Sequence, residues 1–210
     1  TEAGITAALE AGAGALWANT VLFGDHPLAR VAGRVPIVGQ IPEQVERWDD
    51  KWFCNERLRE RGLPVARSIL VGREGTDGVL PLGDLKPGLL AALGLMTPLV
   101  VKPVRGRGSD GVKRVGSVPK LVLEVIRLIE ATALVDGQSR SRYGSRVLVE
   151  EYLPGTELTI TVMPSGTYEI AGKRIMHQSS WCLPPVRRID HRSGVLPYGG
   201  DVPGSANSTA

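Results

Sequence analysis

The 210 residues, 42% of them hydrophobic, suffice for one large domain or two small ones. A net charge of +3 does not require a nucleic-acid surface, and 5% aromatics offers no evident stacking platform. No apolar run reaches the roughly 18 residues of a membrane helix, no secretory leader is visible, and two cysteines cannot make a disulfide framework; the expectation is a cytoplasmic protein without membrane or nucleic-acid partners.

Thr1 to Gly12 reads as the end of a helix, and Ala15 to Trp17 as a short strand. Val21 to Gln40 is loop-rich, with Pro27, Gly33, Pro36 and Gly39. Glu43 to Arg61 is predicted as one helix carrying Lys51, ended by Gly62 and Pro64. A strand is expected at Val65 to Val71, a turn region at Gly72 to Leu80, and a helix at Leu85 to Leu93 interrupted at Pro87-Gly88.

Then comes the most informative stretch, PLVVKPVRGRGSDGV, Pro98 to Val112. A short apolar strand delivers one lysine, Lys102. Pro103 stops it, and a loop with Gly106, Gly108, Ser109 and Gly111 follows before an alternating strand. This order suits a nucleotide triphosphate: the strand aims a cation, and bare backbone N–H groups can meet phosphate oxygens. A Rossmann turn would need a helix directly after the loop, a Walker loop would end in Gly-Lys-Ser/Thr, and a kinase-type hairpin places its lysine later. An ordinary arginine-rich surface hairpin is the other reading.

Ser117 is a good N-cap, with Pro119 in the first turn; the apolar face of Leu121, Val125, Leu128, Ile129 and Thr132 extends this helix to Val135. Gly137 to Ser145 reads as a mobile linker. Two hairpin strands follow near Arg146–Tyr152 and Leu158–Met163, with Glu150, Glu151 and Glu157 around the Pro154-Gly155 turn, and a strand at Thr167 to Ile175. Glu157 could accept from ribose hydroxyls, or the three glutamates could be solvated.

The Asp-Lys start of a helix ending in GLPV, the VVKP strand with its glycine loop, and EEYLPGTE together resemble the ATP-grasp superfamily, most closely the D-alanine–D-alanine ligase-like carboxylate–amine ligases, from about Thr1 to Leu158. The resemblance implies an α+β fold with two α+β lobes around a nucleotide cleft, incomplete at both ends. It divides the chain into the tail of an N-terminal α/β domain (1–45), a central subdomain with the phosphate loop (46–145) and a partial C-terminal subdomain (146–210). It assigns Lys51 and Lys102 to ATP phosphates, Gly106, Gly108, Ser109 and Gly111 to the loop over them, Glu150 and Glu151 to the adenine amino edge (one through its backbone carbonyl), the Leu153 N–H to the ring and Glu157 to ribose.

The implied reaction makes an acyl phosphate from a carboxylate and ATP, which an amine then opens; the implied partners are Mg²⁺, an amino-acid-like small molecule and a second copy in a homodimer. The family's Mg²⁺ ligands are expected beyond Ala210, so no metal ligand is assigned, and the fragment alone is expected to be inactive. The alternative is a non-catalytic nucleotide-binding module. Arg105 and Arg107 are read either as extra phosphate cations or as solvated side chains. Arg187 or Arg188 is a candidate for closing over the terminal phosphate, and Asp190 and Asp201 read as surface aspartates.

Overall fold

The computed structural model describes residues 2–18, 24, 26–40, 42–135, 137–189 and 208–209. Helix α1 (Glu2–Glu10) and the parallel strands β1 (Leu16–Trp17) and β2 (Ile37–Val38) open the chain. They share a small apolar cluster around Leu28, Val31 and Val45. Within the expected loop over 21–40 lie β2 and a 3₁₀ turn at Pro27–Val31; residues 21–23 and 25 are outside the described set.

The single helix expected over 43–61 is two: α2 (Pro42–Trp48) and α3 (Lys51–Glu60). The break follows from Asp50, whose extended backbone and carboxylate, accepting from Phe53 N–H at 2.8 Å, make it the N-cap of α3. Lys51 thereby becomes the first residue of a helix. Its own N–H, which a helix start leaves without an intrahelical partner, donates to the Val104 carbonyl at 3.0 Å.

The centre of the molecule is a five-stranded sheet. Strands β3 (Ser68–Gly72), β4 (Val79–Pro81), β5 (Leu99–Pro103), β6 (Lys113–Val115) and β9 (Arg146–Glu151) lie in the order β4-β3-β9-β5-β6. Only β3 and β4 are parallel; β9 is antiparallel to both its neighbours. β9 therefore does not form the expected hairpin with the segment after it. The sheet also takes its middle strand from beyond residue 145, which the 46–145 unit leaves out. β4 occupies part of the expected turn region, and α4 (Pro87–Ala92) begins at Pro87, which suits a first helical position better than an interior one.

Strand alternation sets the two faces of the sheet. Leu99, Val101, Val147 and Val149 are fully buried with Leu121, Val125 and Leu128 of α5 (Val118–Glu130). Val100, Lys102 and Glu150 occupy the opposite face, where the functional groups gather. Helix α5 ends five residues earlier than expected. Thr132 to Val135 form β7, which pairs with β8 (Gln138–Ser141), a strand inside the segment read as a linker.

Beyond residue 157 the strands are short: β10 (Leu158–Thr159), β11 (Val162–Met163), β12 (Gly166–Ile170), β13 (Lys173–His177), β14 (Trp181–Cys182), β15 (Val186–Arg188) and β16 (Ser208–Thr209). The single strand expected at 167–175 is the β12–β13 hairpin. Its two-residue turn, Ala171-Gly172, has positive φ at both positions (50° and 74°), the geometry that matches strand twist. β10 pairs with β15, and β11 with β14. Among the described residues, no helix is long and apolar enough to cross a membrane.

Candidate functional site

The polar face of the sheet forms the floor of a cavity of about 590 Å³, within the range of small-molecule sites. Lys51 enters from the start of α3 and Lys102 from β5. Gly106, Gly108 and Ser109 come from the loop between β5 and β6. Glu150, Glu151, Leu153 and Glu157 come from β9 and the segment after it. Of the ten residues singled out in the sequence, the cavity brings together these nine. Gly111 stands behind the wall: a Cβ there would come within 2.8 Å of Pro103 and 3.0 Å of Leu128, so glycine lets the loop close onto the sheet and α5.

The loop is shaped to expose backbone. Gly106 has φ of 116°, closed to other residues, and Ser109 has φ of 57°, uncommon for a residue with a side chain. Turn bonds from Val112 N–H to the Ser109 carbonyl (3.1 Å) and from Asp110 N–H to the Arg107 carbonyl (3.3 Å) hold the bend. Asp110 accepts from Arg142 (3.0 Å) and from the Tyr143 hydroxyl (2.9 Å), tying the loop to the turn before β9.

The Lys51 ammonium donates to the Gly106 carbonyl at 2.8 Å and lies 3.4 Å from that of Val104, so it braces the glycine loop from below. Burial, and then the Lys102 charge, hold its pKa below the ordinary lysine value. Lys102 pairs with Glu150 at 2.5 Å; Glu150 is only 6% exposed, and its other oxygen accepts from Asn55 Nδ2 at 2.9 Å. The Glu150 carboxylate thus aims the lysine. Asn55, one turn after Lys51 on α3, went unnoticed in the sequence, although the four-residue spacing places both on one helix face.

The Glu151 carboxylate is committed too. It accepts from the Arg67 backbone N–H at 2.8 Å and from its Nε at 3.3 Å, while Glu151 N–H donates to the Arg67 carbonyl. The Arg67 N–H, which would extend the ladder to the Glu151 carbonyl, is drawn instead to the side chain. Pairing on the β3 side ends there, while Tyr152 N–H still donates to the Pro98 carbonyl at 3.3 Å, and Glu151 and Leu153 stand on the segment that lines the cavity. Arg107 and Asp110 of the loop also line it, as do Ala66, Val100, Val112 and Tyr152, the last four unmarked in the sequence because their place depends on sheet order.

No family model matches the chain. Over 126 residues, 60% of its length, it is 30% identical to the D-alanine–D-alanine ligase of Azobacteroides pseudotrichonymphae genomovar. CFP2, covering 31% of that protein. Over 146 residues, 68% of its length, it is 32% identical to the D-alanine–D-alanine ligase of Mycolicibacterium gilvum, covering 33% of it. Among solved structures, the Bacillus anthracis D-alanine–D-alanine ligase complexed with ATP aligns over 92% of this chain and 53% of its own, with a TM-score of 0.60 and 19% identity. The biotin carboxylase domain of Hydrogenobacter thermophilus 2-oxoglutarate carboxylase, in complex with MgADP, aligns over 93% and 38%, with a TM-score of 0.63 and 17% identity. This is an ATP-grasp fold. The ATP-grasp chain spans about a third of the length of the curated ligases it matches.

Arg187 and Arg188 lie on β15, paired with β10, and Arg188 N–H donates to the Glu157 carbonyl at 2.8 Å. The Arg188 side chain is held by Thr159 (Nε to Oγ1, 3.1 Å) and Ser208. Asp190 and Asp201 fall outside the described residues. Among the described residues no cluster of three His, Cys, Asp or Glu side chains could hold a metal.

Proposed function

We propose that this cleft binds ATP, as part of an enzyme that joins a carboxylate to an amine through an acyl phosphate. The observation that carries the reading is convergence. Two lysines from different elements and a loop with exposed backbone share one cavity with the end of strand β9. The cations suit a triphosphate, and the strand exit suits a base edge.

In this reading Lys51 and Lys102 neutralise phosphate charge, with Lys102 pre-aimed by Glu150. Gly106, Gly108 and Ser109 lay backbone N–H groups on the phosphate chain. The Glu151 carbonyl and Leu153 N–H read the adenine amino edge and ring nitrogen, and Glu157 accepts from the ribose hydroxyls. The protein's part in catalysis is placement and charge stabilisation. Mg²⁺ would neutralise the phosphates further. Its ligand set does not fit the residues here, since Glu150 and Glu151 are already taken by Lys102, Asn55 and Arg67, and no step is assigned to it. An amino-acid-like substrate and a homodimer belong to the same proposal. So does the division into units, with Arg146–Glu151 joined to the central one.

Calorimetric titration with ATP tests the reading on the native chain beside Lys51→Ala and Lys102→Ala. Each variant is expected to bind at least about tenfold more weakly, some 1.4 kcal/mol. A folded native chain that gives no heat with ATP and no competition by ADP would sink it.

A further inference from the structure

The loop carries two arginines, which the sequence leaves equivalent. The structure separates them. Arg105 turns away, pairing with Glu46 of α2 and lining a second cavity of about 460 Å³ behind the loop, with Asp50, Arg142, Tyr143 and Arg146. Glu46 is held in place independently, accepting from Gly24 N–H at 3.2 Å. Arg107 instead lines the nucleotide cavity.

What holds Arg107 is a buried carboxylate. Asp49, at the break between α2 and α3, has a side chain only 9% exposed. Its Oδ1 accepts from Arg107 Nε at 3.1 Å, while its Oδ2 is buried without a hydrogen-bond partner. A carboxylate in that position needs a nearby cation. Contact through Nε leaves both terminal amino groups of the guanidinium available, and that fork matches two oxygens of one phosphate. The Arg107 side chain is still half exposed, so a ligand can reach it.

We infer that Arg107, positioned by Asp49, is a phosphate-binding residue for the nucleoside triphosphate, and that Arg105 anchors the loop and makes no such contact. The inference rests on the nucleotide reading above. It adds a third side-chain cation to Lys51 and Lys102, delivered by the loop itself, so that loop position and phosphate charge become coupled.

Arg107→Gln and Arg105→Gln remove the same charge from neighbouring positions, so long-range attraction for ATP falls equally in both. Melting temperatures without nucleotide check the fold, and each variant is then titrated with ATP. Arg107→Gln is expected to weaken binding at least about tenfold, and Arg105→Gln less than about threefold. Because Arg107→Gln leaves Asp49 without its partner, Arg107→Lys serves as a second variant. It keeps a cation there but lacks the fork, and about threefold weaker binding is expected. Equal losses in the two glutamine variants, or wild-type affinity in both Arg107 variants, would overturn the assignment. Failure of the native chain to bind ATP at all would identify the nucleotide reading itself as the fault, and the role of Arg107 would fall with it.

Discussion

The five-stranded sheet and the strands after residue 157 are built from similar side chains, yet they fold on different terms. In the sheet, Leu99, Val101, Leu121, Leu128 and Val149 lose all contact with water. From residue 158 to 189 no described residue is buried, although Leu158, Ile160, Val162 and Met176 are large and apolar. The difference lies in layering. Helix α5 covers one face of the sheet, whereas the later strands form two-stranded ribbons, apart from β10-β15-β16, and among the described residues no helix follows α5 in the chain. Two-stranded ribbons are marginal in water. The site straddles this divide: its cations belong to the layered part, and Glu157 stands at the border.

The largest effect is expected where layering is complete. Leu121→Ala removes a fully buried side chain between helix and sheet, and should lower unfolding free energy by about 3 kcal/mol in a denaturant titration. A loss under about 1 kcal/mol would mean that α5 does not cover the sheet in solution.

Lys102→Ala comes next and probes the joint between stability and site. It removes a cation proposed to meet the phosphates and also strands Glu150, buried beside Asn55. ATP affinity should fall at least about tenfold, with a drop in unfolding free energy of about 2 kcal/mol. The double variant Lys102→Ala with Glu150→Gln should recover much of the stability but not the binding. Recovery of both would show that Lys102 served the fold alone.

Lys51 yields a smaller, pH-dependent effect. Burial lowers its pKa, so the free protein sheds this proton below the ordinary value of 10.5, and bound phosphates would restore it. ATP affinity should therefore fall as pH rises toward 10.5, by at most about tenfold per unit, the limit for one coupled proton. Folding stability should rise over the same interval, because the unfolded chain holds the proton more tightly. Lys51→Arg stays charged and should flatten the binding profile. A profile identical in the two proteins would remove Lys51 from the phosphate site.

How much of this was legible depended on whether the signal was local. Lys102 and its loop could be read because the apolar run Leu99-Val100-Val101 ends in one lysine and the glycines follow at once. Asp50 before Lys51 is an equally local N-cap signal, and the family resemblance starts a helix there, but the chain-order reading ran one helix through it. The extension of α5 to Val135 followed the apolar pattern past Glu130, where β-branched Thr132 and Val135 suit the β7–β8 ribbon better. The place of β9 was not legible. Its sequence neighbour β10 looked like its partner, and only long-range pairing with β3 and β5 makes it the middle strand. The commitments of Glu150 to Lys102 and of Glu151 to Arg67 depend on that pairing, which is why the resemblance could place both residues at the adenine amino edge without showing that their carboxylates are engaged elsewhere.

The smallest effect tests the second region directly. Met176 lies on β13 and is 71% exposed, so Met176→Ala removes little surface from contact and should change unfolding free energy by less than about 0.5 kcal/mol, measured against Leu121→Ala in the same denaturant. The inequality matters more than either value. If the ribbons fold only as an appendage of the sheet, amide exchange in β12 and β13 should be far faster than in β5 and β9, because local opening there exposes almost no apolar surface. ATP bridging Lys102 and Glu157 should then slow exchange at β10 and β15, next to Glu157, and leave the β12–β13 hairpin unchanged. A Met176→Ala cost approaching that of Leu121→Ala would show that this apolar face is covered in solution, and the contrast between the two regions would disappear.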